Sequence, residues 1–156
     1  MMASQKLGEV AIDLGRIACM DVAALDAWRH EEALDGRADV VFWGNDAQLA
    51  ARILGAKRHA DGYGWVDLPI TKAETRYDDV GRKKSANKWQ LTCELRPHSH
   101  HHQVLSAIAA SPTRSTSLEL AGGELAVIAI GGEGVHPVYR NLDAHDRLMA
   151  ISIHLG

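Results

Sequence analysis

Hydrophobic and polar residues alternate most cleanly from Lys88 to Arg96, with Trp89, Leu91, Cys93 and Leu95 on one face and Lys88, Gln90, Thr92, Glu94 and Arg96 on the other. That two-residue period predicts a strand. Pro97 ends it, Ser99 is placed to cap the next segment, and Val104, Leu105, Ile108 and Ala109 mark a helix that stops before Pro112. Upstream, Val40-Val41-Phe42-Trp43 is a short unbroken apolar run, the pattern of a strand covered on both faces, and Gly44-Asn45 breaks it. Asn45 or Asp46 then caps a helix carrying Ala47, Ala50, Ala51 and Leu54, which Gly55 closes. The spacing of Val22, Leu25, Trp28 and Leu34 predicts a helix over 22–34, capped by Asp21 and stopped at Gly36. Before it, Leu7 to Ile12, a turn at Asp13-Leu14-Gly15 and apolar Ile17 to Met20 predict a hairpin.

Between Ala56 and Lys88 the pattern weakens, and the polar stretch 72–87, interrupted by Gly81, reads as a mobile loop. The segment Gly64 to Ile70 suits a strand that Pro69 confines to an edge. The last forty residues read as strands separated by turns. Leu118 and Leu120 lead into Gly122-Gly123, a primed two-residue turn. Leu125 to Ile130 suits a central strand buried on both faces, Gly131 to Gly134 a hairpin turn, and Val135 to Arg140 and Met149 to Leu155 two further strands. The expected architecture is α+β: a mostly antiparallel sheet with a C-terminal β-meander and about three helices packed on one side, in a single domain over 1–156.

At 156 residues and 46% apolar, the chain has enough core to fold without a metal or a disulfide, so any metal would serve function. Lys and Arg total 17 against 20 Asp and Glu, a formal charge of −3 that offers no general attraction to phosphate backbones, so nucleic acid is not an expected partner. No stretch approaches the roughly 18 apolar residues of a membrane span, and the first residues carry no basic leader, so a cytoplasmic protein off the membrane is expected. Cys19 and Cys93 are too few for a disulfide framework and read as reduced core thiols.

The chemical anomaly is histidine. Of nine, four fall at His98, His100, His101 and His102. Imidazole suits zinc, copper and nickel, and His98 with His100 reaches one ion if the chain between them is extended. If a helix begins near Ser99, consecutive rings fan out at about 100° per residue and three adjacent side chains cannot converge. The cupin pair H-x-H fits His98-Ser99-His100, but no Glu lies between His102 and Ser117; the pattern H-x-H-x-D-H fails at His101, where Asp is required. Neither Cys93, on an apolar face, nor any serine elbow offers a nucleophile. Tyr63 and Trp65, set among glycines in Asp61-Gly62-Tyr63-Gly64-Trp65, suit an exposed recognition loop.

The run from Leu125 through Gly131-Gly132-Glu133-Gly134-Val135-His136-Pro137-Val138-Tyr139, followed by Asp143 and an apolar strand, resembles the close of small bacterial domains ending in a G-x-G-V-Y-P-V-Y-like hairpin, some regarded as immunity-type binders of toxins. Asp13-Leu14-Gly15-Arg16-Ile17-Ala18 is similar to their opening. The resemblance brings no catalytic residues. The leading expectation is therefore a non-catalytic binding or regulatory domain without a cofactor, meeting a protein partner through Tyr63 and Trp65. The competing one is a protein that binds a divalent transition metal such as zinc through His98, His100 and His102 with the distant His136. A homodimer through an unpaired sheet edge is a third outcome open to a meander.

Overall fold

The computed structural model describes residues 3–13 and 15–155; Met1, Met2, Gly156 and Leu14, the last in the expected opening turn, lie outside the described residues. Strands β1 to β10 and helices α1 to α3 are numbered in chain order. Antiparallel sheets and helices make an α+β fold. The chain, expected as a single domain, divides into two units, residues 27–106 and residues 3–26 with 107–155.

The 27–106 unit is built on a four-stranded antiparallel sheet in the order β4-β5-β3-β6: β3 Arg37–Trp43, β4 Lys57–His59, β5 Gly62–Pro69 and β6 Thr92–Pro97. The apolar run in β3 is covered on both faces as its pattern implies, with Val40 and Phe42 fully buried and Val41 nearly so. Helix α1 (Ala47–Leu54) ends at Gly55, whose left-handed φ of 69° lets its N–H reach Ala51 O. Asp46 sits at the start of α1 but caps nothing there: its Oδ2 accepts the Gln90 N–H at 2.6 Å and so ties α1 to the entrance of β6. One apolar cluster joins Phe42, α1 and Val80; a second joins Ala38, Val40 and Ala73.

Residues 72–87, expected as a mobile loop, lie within an 18-residue helix, α2 (Ile70–Asn87), and that expectation is corrected. Only Ala73 and Val80, seven residues apart, are buried on it. So thin a seam leaves the helix polar over most of its circumference, and Gly81, whose missing Cβ faces open space, reads as a break without being one. The helix expected over 22–34 is a single 3-10 segment, Val22–Ala27; Val22 and Leu25 lie exposed, so the apolar spacing there does not mark a buried stripe. Helix α3 begins in this unit and runs His100–Ala110 as expected.

The other unit holds two three-stranded antiparallel sheets. One has the order β1-β9-β10, with β1 Ala3–Ile12, β9 Gly134–Leu142 and β10 Leu148–Ile153; the other has β2-β8-β7, with β2 Arg16–Cys19, β7 Ser115–Leu120 and β8 Gly123–Ala129. The expected opening hairpin does not form, because β1 pairs with β9 and β2 with β8. For the same reason Gly131–Gly134 is a crossing between sheets, not a hairpin turn. β8 buries one face, through Leu125 and Val127, and leaves Ile128 exposed. The turn before β8 is primed as expected but one residue earlier: Leu120 pairs with Gly123, and Ala121 and Gly122 take φ of 52° and 79°. Cys19 is exposed rather than buried, whereas Cys93 is half-buried, and burial pushes its thiol up to about 11. No helix among the described residues is long and apolar enough to cross a membrane.

Candidate metal centre

Three side chains in the 27–106 unit bring ligand atoms within 4.8 Å of one another: Asp39, His98 and His102. Asp39 is the third residue of β3 and lies opposite an irregularity in β5. Ala38 pairs with Leu68 and Val40 with Trp65, so two residues, Val66 and Asp67, face the single residue Asp39. Asp67 adopts φ 57° at that bulge, and its N–H donates to Asp39 Oδ1 at 2.7 Å. A carboxylate on the central strand is thereby fixed by a main-chain donor. Arg96, the cross-strand partner of Asp39, is engaged by Glu94 Oε2 at 2.9 Å and Asp61 Oδ2 at 3.0 Å.

His98 follows β6, its N–H donating to Arg37 O and its carbonyl accepting the Leu34 N–H. Its ring stands between two carboxylates, with Nδ1 2.9 Å from Asp35 Oδ2 and Nε2 3.1 Å from Asp39 Oδ1. Asp35 is itself oriented, because its Oδ1 accepts the Arg37 N–H at 2.9 Å. Burial works against a charge on the His98 ring, but hydrogen bonds to Asp35 and Asp39 outweigh it and hold the imidazole above its ordinary value. Asp39 moves the opposite way: burial would raise it, but the Asp67 N–H and His98 keep its carboxyl below the usual range. Two ionised carboxylates both accept only from a ring that carries a proton on each nitrogen, so the surroundings favour the charged form of His98.

Ser99 places the third group. It is 2% exposed, its Oγ accepts the His102 N–H at 3.3 Å and its carbonyl accepts the Gln103 N–H at 3.0 Å, the pattern of an N-cap. His98 is then the residue before the cap and His102 the third of the helix, so the two rings meet across the cap. They stack with centroids 4.5 Å apart and planes inclined by 13°. His102 Nε2 lies 3.4 Å from Asp39 Oδ2. The side chains of His98, Asp39 and His102 are 16%, 16% and 25% exposed, sheltered but open on one side.

The structure therefore brings together two of the four histidines expected as ligands and adds Asp39, which sequence reasoning missed. His100 is used elsewhere: its Nδ1 accepts the Arg29 N–H at 2.9 Å and its ring stacks on Trp28 at 5.6 Å. The fan expected of consecutive helical residues thus holds for His100, His101 and His102. His136 lies on β9 in the other unit, its Nε2 buried and without a hydrogen-bond partner among the described residues. Tyr63 and Trp65 lie on strand β5 rather than on an exposed loop, and both are half-buried against the core. Their rings stand 6.4 and 6.1 Å from Phe42, with Arg58 and Arg76 over their faces.

Two atoms each about 2.0–2.1 Å from a shared zinc stand roughly 3.3–3.4 Å apart in tetrahedral geometry. Asp39 turns one oxygen to each imidazole, Oδ1 at 3.1 Å from His98 Nε2 and Oδ2 at 3.4 Å from His102 Nε2, separations close to that value. Two imidazoles and one carboxylate are a donor set for zinc and its neighbours, and three protein ligands leave a position for water or another ligand. Comparison with known proteins finds no match: no family model, no curated protein and no solved structure is similar to this chain.

Proposed function

We propose that the 27–106 unit binds a divalent transition metal, zinc or a neighbour in the series, through Asp39, His98 Nε2 and His102 Nε2. One observation supports the reading above others: residues from β3, from the end of β6 and from the first turn of α3 bring three ligand atoms within 4.8 Å. The surroundings are those a metal site uses. Asp35 accepts from His98 Nδ1 and so fixes the tautomer that offers Nε2, and the Asp67 N–H holds the Asp39 carboxylate. Binding displaces the proton that His98 shares with Asp39, and the dication takes its place as the compensating charge. The unit folds around an apolar core of its own, so the metal is a functional ligand rather than a folding nucleus. Zinc titration of metal-free protein by calorimetry tests this: binding is expected in the native chain and lost at this position in His98→Ala plus His102→Ala. Titration curves that coincide would overturn it.

A further inference from the structure

We infer a second metal position in the same unit, at His30 and His101, taking a divalent transition ion of the imidazole-preferring class. It has its own protein ligands and does not rest on an ion at Asp39. The two rings lie with centroids 4.4 Å apart and planes inclined by 45°. Ring nitrogens stand about an ångström from the centroid, so rings at this distance can place one nitrogen each near the roughly 3.3 Å separation that a shared tetrahedral ion requires.

The pair is built by the backbone on both sides. The Arg29 N–H donates to His100 Nδ1 and the Arg29 carbonyl accepts the His100 N–H, while downstream the Leu34 N–H donates to the His98 carbonyl. These bonds clamp segment 28–34 against the start of α3 and hold His30 beside His101, a neighbour in space that is remote in sequence. Both rings line a cavity of about 210 Å³ that Glu31, Glu94 and His102 also border. Glu31 and Glu94 give this lining carboxylates, while Arg96, also in the lining, is held by Glu94 and Asp61. Two imidazole nitrogens suit zinc, nickel or copper(II), and the cavity has room for water or a small anion to complete the coordination. His102 borders the cavity and also faces Asp39, so it neighbours both positions.

The test is zinc content after equilibrium dialysis against zinc chloride, measured by elemental analysis on native protein and two paired variants, with circular dichroism as the folding control. Native protein is expected to hold two equivalents, falling to one in His30→Ala plus His101→Ala and to one in His98→Ala plus His102→Ala. His30 is exposed, so His30→Gln alone, which leaves the helix untouched, is expected to weaken the second equivalent as well. Equal zinc content in native protein and in the His30/His101 variant would overturn the inference. A single native equivalent lost only with His98 and His102 would overturn it while leaving the Asp39 site standing. A single equivalent lost only with His30 and His101 would support it and remove the other site.

Discussion

Asp35→Asn separates a metal site from a mere cluster of polar residues, because it alters no ligand and little shape. Asp35 Oδ1 accepts the Arg37 N–H, a bond an asparagine oxygen can keep, so the turn through Gly36 survives. The atom at 2.9 Å from His98 Nδ1 changes from a carboxylate oxygen to an amide NH2. A carboxylate requires Nδ1 to carry the proton and leaves Nε2 free to ligate; an amide donor makes Nδ1 the acceptor and drives the proton to Nε2, the nitrogen facing Asp39. Loss of an orienting partner of this kind weakens metal affinity by about 10–100-fold. Asp35 is 51% exposed, so solvent screening places the expected loss near the lower end of that range. The assay is competition for zinc against a fluorescent chelator at pH 7.5, with Asp35→Ala as a second variant that removes the partner without inserting a donor. The expected order of affinity is native, then Asp35→Ala, then Asp35→Asn. Native affinity in Asp35→Asn would refute the claim that Nε2 of His98 ligates.

Zinc affinity is expected to fall as pH drops through the raised His98 value, by up to about tenfold per unit for the one proton displaced, and calorimetry at pH 5.5 and 7.5 measures it. In metal-free protein the sign reverses: the imidazolium between Asp35 and Asp39 stabilises the fold fully below the ordinary histidine value of about 6.5, and the contribution is lost as pH rises through the raised one, so denaturant midpoints at pH 6 should exceed those at pH 8 from this group. Ser99→Ala removes the cap that sets His102 in place; a loss of about 1 kcal/mol in stability and a weaker zinc isotherm are expected, and an unchanged isotherm would show that the cap does not position the ligand. Gly81→Ala, in the interior of α2 with open space at its Cβ, is expected to stabilise by about 0.5–1 kcal/mol in urea melts; destabilisation would argue against a helix there.

Strand and helix existence was readable wherever one face meets the core. β3 and α1 carry enough buried residues for their periods to show, and Gly55 and Ser99 mark helix ends by chemistry that is purely local. α2 was hidden because two small contacts, Ala73 and Val80, hold eighteen residues. Pairing was readable where a tight turn joins neighbours, as in the β7–β8 hairpin, but not at long range: that β1 joins β9, with partners such as Ile12 and Gly134, depends on packing between segments far apart in sequence.

The candidate metal centre was half readable. His98 and His102 differ by four positions across a Ser cap, and a spacing that straddles a cap brings side chains together where consecutive ones diverge. Helical fanning separates His100 to His102 but does not reach His98, which precedes the helix. Asp39 gave no local signal, since it enters the site through the β3–β6 pairing and the β5 bulge that turns the Asp67 N–H toward it.

The central claim is that Asp39, His98 and His102 act as one ligand set, and cobalt(II) substitution reads this most directly. Native protein with one equivalent of cobalt at the Asp39 position should show the intense visible d–d absorption of a four-coordinate ion, and Asp39→Ala, His98→Ala and His102→Ala should each abolish that band in the His30→Ala plus His101→Ala background. A band that survives any one of the three substitutions unchanged would contradict the account.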